Sequence, residues 1–184
     1  MNMKKLLLLS MAIVLAESSA KAQSRLIDRS GTVRFYSSAP MEDIEATNNS
    51  ALGIVEIPSG KAAVSILIKG FKFEKALMQE HFNENYMESD KYPKATFSGQ
   101  ITDPSMLTKL GSFQTEIQGQ MTLHGVTKDL TMLCQFNVSE KEITVKSTFN
   151  LVVADYDIEI PKLVRNNIAK EVEVTANFKF QRND

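Results

Sequence analysis

Apolar and polar positions alternate along most of the chain, and this period of two predicts a series of β segments. The clearest is the last, where Val172, Val174, Ala176, Phe178 and Phe180 oppose Glu171, Glu173, Thr175, Asn177 and Lys179. Residues 32–37 set Val33 and Phe35 on one side. Residues 41–50 read as polar and turn-rich, and residues 51–57 resume as strand before the turn Pro58-Ser59-Gly60. Residues 62–73 read as one long strand, with Val64, Ile66 and Ile68 on one face and Ser65, Leu67, Lys69 and Phe71 on the other. Residues 95–102 form a further strand, followed by a connection containing Pro104. Residues 112–123 and 126–138 form a hairpin about His124-Gly125, where glycine supplies a positive φ at no steric cost. Residues 142–154 carry Ile143, Val145, Phe149, Leu151 and Val153 on one side. The total is eight strands.

One stretch breaks the period. Between Phe71 and Gly99 the spacing turns helical, with Leu77, Met78, His81, Phe82 and Asn85 on one face and Tyr86 at its border. Gln79, Glu80, Asn83 and Glu84 take the other face. This predicts a short helix lying over apolar surface, with His81 and Asn85 on its buried side. Either could hydrogen-bond a ligand or hold the helix to its support. Tyr92-Pro93 ends the excursion, because the residue before a proline is pushed out of the helical region.

Long half-apolar antiparallel strands under one helix fit a sandwich or a closed barrel, and strands of ten or more residues favour an eight-stranded antiparallel barrel. Its interior would hold Phe, Ile, Val, Leu and Met. Periodicity alone does not distinguish a packed core from a lined cavity.

Residues 1–22 have the form of an export signal: Lys4 and Lys5, an apolar run of residues 6–15, then Ala20-Lys21-Ala22. The run is shorter than the roughly 20 residues of a membrane span. Cleavage after Ala22 leaves residues 23–184 as one domain of 162 residues. Losing Lys4, Lys5, Lys21 and Glu17 leaves 18 basic and 21 acidic residues, net −3, which gives no footing for nucleic-acid binding. Cys134 is the only cysteine, so the fold rests on burial without an internal disulfide; its alternating neighbours place it on an apolar face.

The stretch LMQEHFNENYMESDKYPKATFSGQI, followed after a spacer by GQMTLHGVTKDL, resembles the YceI family. The matching positions include Met78, His81, Phe82, Tyr92, Pro93, Phe97 and Gly99, then Gly119, Leu123, His124, Gly125 and Lys128. The resemblance covers nearly all of residues 23–184. It implies an exported, lipocalin-like barrel with a long hydrophobic tunnel, a helix near its mouth, and a polyisoprenoid, isoprenoid quinone or fatty-acid-like amphiphile as ligand. The chain departs from the family pattern after the first strand, where Ser37-Ser38-Ala39-Pro40 and residues 41–46 replace a His-containing segment and a Gly-x-Phe.

The expected cavity lining and mouth are Phe35, Ile66, Ile68, Phe71, Met78, His81, Phe82, Asn85, Tyr92, Phe97, Val145 and Phe149. No cofactor is required beyond a bound lipid or isoprenoid. The expected partner is that hydrophobic small molecule, with transient membrane contact and a homodimer as further expectations, in the periplasm or outside the cell. Nothing marks catalysis: there is no Gly-x-Ser-x-Gly, Cys134 has no adjacent base, and two distant histidines make a weak zinc site. Asp155, Asp157 and Glu159 alternate with the spacing of calcium ligands, but Ile160-Pro161 follows where an EF-hand loop continues. The alternative reading is a ligand-free module with a packed barrel, presenting residues 41–50 to a partner.

Overall fold

The computed structural model describes residues 24–182, and the expected leader lies outside the described residues. The strands are β1 (Ser24–Ser38), β2 (Asp43–Ile57), β3 (Lys61–Leu67), β4 (Lys72–Phe73), β5 (Lys94–Ile101), β6 (Gly111–Leu123), β7 (Val126–Val138), β8 (Glu142–Val152) and β9 (Glu171–Gln181). Neighbours pair antiparallel in the order β1-β9-β8-β7-β6-β5-β3-β2, and β1 pairs again with β2, so the sheet closes on itself. The two-residue β4 pairs with β2 at Ala46 and Thr47, on the edge that β3 also uses. β3, the 3₁₀ turn Ile68–Gly70 and β4 are therefore one interrupted strand, and the barrel has eight staves. Apolar side chains point inward and polar ones such as Glu171, Glu173 and Lys179 outward, the reverse of a barrel built to face lipid.

Two strands run further than their sequence predicts. Residues 41–50, read as a polar, turn-rich stretch, belong mostly to β2, and β1 begins at Ser24. The cause is the same in both. Asp28 accepts from the Ser30 amide (2.8 Å) and hydroxyl, and Asn48 accepts from the Ser50 amide (2.8 Å) and hydroxyl. These are the side-chain turns such residues make at chain reversals, but here they sit inside bulges of the β1–β2 ladder, on either side of the pair Gly31–Ala51. The polar side chains then stand in for ladder bonds. Asp28 takes the Lys179 amide at 2.7 Å, and Asn48, fully buried, donates to the Leu67 carbonyl at 2.9 Å where β3 breaks off.

The helix is α1 (Ala76–His81), continued by a π-turn, Phe82–Tyr86, closed by the Met87 amide on the Phe82 carbonyl. It packs across one end of the barrel. The other end is filled: Leu26, Val55, Ile57, Ile101, Val138, Ile143 and Phe180 are buried there, with Met106 and Leu107 from the 3₁₀ turn Pro104–Thr108. Among the described residues, no helix is long and apolar enough to cross a membrane.

Candidate functional site

The half of the barrel beneath α1 is hollow, with a cavity of about 400 Å³. Its wall is built by alternation. Each strand contributes every second side chain: Val33, Phe35 and Ser37 from β1, Val64 and Ile66 from β3, Val145, Ser147, Phe149 and Leu151 from β8, and Val172, Val174, Ala176 and Phe178 from β9. Aliphatic and aromatic groups dominate this surface. Cys134 on β7 belongs to the wall, its thiol pushed up by burial, so it is a weakly ionised group there. Ser147 spends its hydroxyl on the Leu133 carbonyl at 2.9 Å.

Four phenylalanines roof the cavity. Phe82 of the π-turn stacks on Phe35 with ring centroids 5.5 Å apart, and meets Phe71 at 5.8 Å and Phe73 at 5.0 Å. Phe35 in turn contacts Phe71 and Phe73 edge-on. Such pairs add about 0.5–1.5 kcal/mol each beyond the area they bury. The helix, which buries no side chain in its six α-helical residues, is held down chiefly by this one ring.

The face of the helix differs from the one its spacing predicts. Leu77, His81 and Asn85 are exposed, while Met78, Gln79, Phe82, Asn83, Tyr86 and Met87 turn toward the barrel. The inward positions fall one residue later than the predicted stripe along the whole element, α1 included, so the helix is turned about its axis to seat Phe82 among the other rings. Of the twelve expected lining residues, ten border the cavity: Phe35, Ile66, Ile68, Phe71, Met78, His81, Phe82, Phe97, Val145 and Phe149. His81 does so from the exposed rim and not from a buried face. Asn85 and Tyr92 do not border it.

Tyr92 has a different neighbour. Its ring meets His124 edge-on at 4.6 Å, and a Cβ on Gly125 would come within 2.6 Å of it. His124 Nδ1 lies 3.0 Å from the Tyr156 carbonyl oxygen, and Nε2 lies 3.1 Å from a Glu88 carboxylate oxygen. Thus the Tyr-Pro return and the Leu-His-Gly hairpin tip, distant in sequence, form one lock that ties the chain after α1 to β6–β7.

Sequence reasoning missed part of the rim. The connection after β8 supplies Ile158, Ile160, Val164, Asn167 and Ile168 to the cavity opening, opposite α1. Ile158 and Ile160 alternate with Asp157 and Glu159, the period-two signal of an apolar face beside an acidic one. Asp157 takes a left-handed φ of 54° that ends the 3₁₀ turn Val153–Tyr156. Among the described residues, no three His, Cys, Asp or Glu side chains are grouped to hold a metal ion.

A family described as YceI-like domain matches residues 19–180. Among solved structures, the chain is similar to a polyisoprenoid-binding domain from Saccharophagus degradans implicated in plant cell wall breakdown. They share 17% identity over 88% of this chain and 99% of that one, with a TM-score of 0.76. BcnA of Burkholderia cenocepacia is 15% identical over 81% of this chain and 95% of its own, with a TM-score of 0.68. The YceI protein of Campylobacter jejuni is 16% identical, covering 73% of this chain and 81% of its own, with a TM-score of 0.58. No curated protein sequence matches the chain. At these identities the structural likeness speaks to the fold.

Proposed function

The chain belongs to the YceI-like family, and on that footing we propose that it is an exported, non-catalytic protein that holds one long apolar ligand in the hollow half of its barrel. The observation that carries this reading is the cavity itself: about 400 Å³ of space walled by aliphatic and aromatic side chains. Each methylene moved there from water is worth about 0.8 kcal/mol. A chain of ten or more carbons therefore offsets an association cost of several kcal/mol. The ligand class is a polyisoprenoid, an isoprenoid quinone or a fatty-acid-like amphiphile, in keeping with the polyisoprenoid-binding domain to which the fold is similar. Ser37, Glu42, His81 and Asn167 border the opening and would face its polar end. The roles of Phe35, Ile66, Phe97 and Phe149 are to supply apolar wall.

Two further elements belong to this proposal. Removal of residues 1–22 would release the chain just ahead of β1, outside the cytoplasm. Three large apolar side chains stand exposed beside the opening, Met41 (72%), Leu77 (62%) and Leu163 (97%), with Lys162 and Arg165 next to the last. The Met41 amide bonds to the Asn166 carbonyl and Lys75 pairs with Glu42, which brings the three segments together. Such a rim suits brief contact with a bilayer from which an apolar ligand is drawn. The packed-module alternative has lost its presenting loop to β2.

Titration with a fluorescent long-chain fatty acid tests the reading. Saturable binding is expected in the unaltered protein, with at least a tenfold loss in Ile66→Trp and Val145→Trp, each of which puts an indole into the bore. Equal affinity in all three would contradict it.

A further inference from the structure

The bore ends at one layer, and the register shows where. On β9 the cavity is lined as far as Phe178 but not by Phe180; on β8 as far as Val145 but not by Ile143; on β7 as far as Cys134 but not by Phe136. Val145 pairs with Phe178 on one side and with Phe136 on the other, so these three lie at one level across adjacent strands. Phe136, at that level, is fully buried and does not border the cavity. The Phe178 ring leans over the two neighbouring strands because the wall there has been cut back: Gly31 on β1 and Gly53 on β2 have no side chains, and a Cβ on Gly53 would stand 2.6 Å from the ring. A Cβ on Gly31 would overlap the same ring.

We propose that Phe178, seated in the notch left by Gly31 and Gly53, is the floor of the bore and sets the length of hydrocarbon chain it accepts. This deepens the carrier reading and rests on it. Two measures give the length. Six residues separate Val172 near the rim from Phe178, about 15 Å of depth at ~3.3 Å per residue and a tilt near 40°. An extended chain of ~1.5 Å bonds advances roughly 1.3 Å per carbon, so about twelve carbons span that depth. Independently, 400 Å³ at the ~30 Å³ that a small group takes in a liquid holds about thirteen carbons. A prenyl or acyl chain of about twelve to fifteen carbons is enclosed, and whatever exceeds that length stays at or beyond the rim.

The test is a series of unbranched primary alcohols from ten to twenty-two carbons, so that the head group stays fixed while affinity is measured by displacement of the fluorescent fatty acid. In the unaltered protein, affinity rises about fourfold per carbon and levels off near the twelfth to fifteenth. In Phe178→Ala the plateau moves to chains longer by roughly three to five carbons, the room the ring vacates. Phe178→Leu shows a smaller shift and serves if the alanine variant does not fold. In Gly53→Ala, where the new methyl drives the ring into the bore, the plateau moves to shorter chains. A plateau at the same length in Phe178→Leu and Gly53→Ala, or none in the unaltered protein, overturns the floor alone. Failure of every alcohol and the fatty acid to bind the unaltered protein defeats the carrier reading itself.

Discussion

Cys134 reports on the bore at the scale of a single residue. Its thiol borders the cavity, is closed to bulk solvent, and is pushed up by burial. Thiolate forms only above the usual range, so labelling is expected to accelerate at higher pH than for a free thiol near 8.5. An apolar alkyl maleimide should enter and label it, charged iodoacetate should not, and a saturating long-chain alcohol should protect it. Equal rates for both reagents would place the thiol outside the bore. Asn48 offers a second residue-scale test. Asn48→Leu keeps its approximate size but removes the acceptor for Ser50 and the donor to the Leu67 carbonyl, leaving buried polar groups unpaired. A loss of about 2–3 kcal/mol in denaturant unfolding is expected. A loss under half a kcal/mol would mean that the bulge does not need it. These two positions also mark what the sequence conceals. Cys134 fell on an apolar face by alternation, which was legible. Asp28 and Asn48 each head an Asx-type turn, the local signal for a reversal, and only their partners across the sheet, Lys179 and Leu67, turn that signal into a bulge.

Elements were legible in kind and less so in phase. All eight staves were visible as alternating runs, because every one buries a single face. The helix was visible because its period breaks theirs. Its buried face was not, since the whole element is turned by one residue to seat Phe82 against rings supplied by other segments. What holds the element is Phe82 against Phe35, Phe71 and Phe73. Phe82→Ala is expected to cost about 2–3 kcal/mol, somewhat under the range for a fully enclosed ring, and to raise amide exchange across residues 76–87 above that of β6–β7. Uniform exchange in both regions would show that the helix is anchored elsewhere. At the far side of the same excursion, His124→Ala removes the contacts to Tyr156 and Glu88 and is expected to destabilise by about 2 kcal/mol while leaving ligand affinity within twofold. A large loss of affinity at constant stability would instead make the Tyr-Pro and Leu-His-Gly lock part of the binding site.

The whole molecule is a barrel divided across its length. Strand count and strand length gave away the barrel, since eight long half-apolar strands close readily. Whether it was hollow lay beyond the sequence, because an inward apolar face has the same alternation whether it meets other side chains or empty space. The division depends on contacts between distant segments. Met106 and Leu107 plug one end from a proline-bearing connection, and Phe178 leans over β1 and β2 only because two glycines on those strands make room. Native mass spectrometry of protein purified without detergent, and then mixed with a fourteen-carbon alcohol, addresses that hollowness most directly. The account predicts a discrete one-to-one adduct of lipid size on purification or after mixing, shed as collision energy rises. Bare protein before and after mixing, with the fold intact, would contradict it.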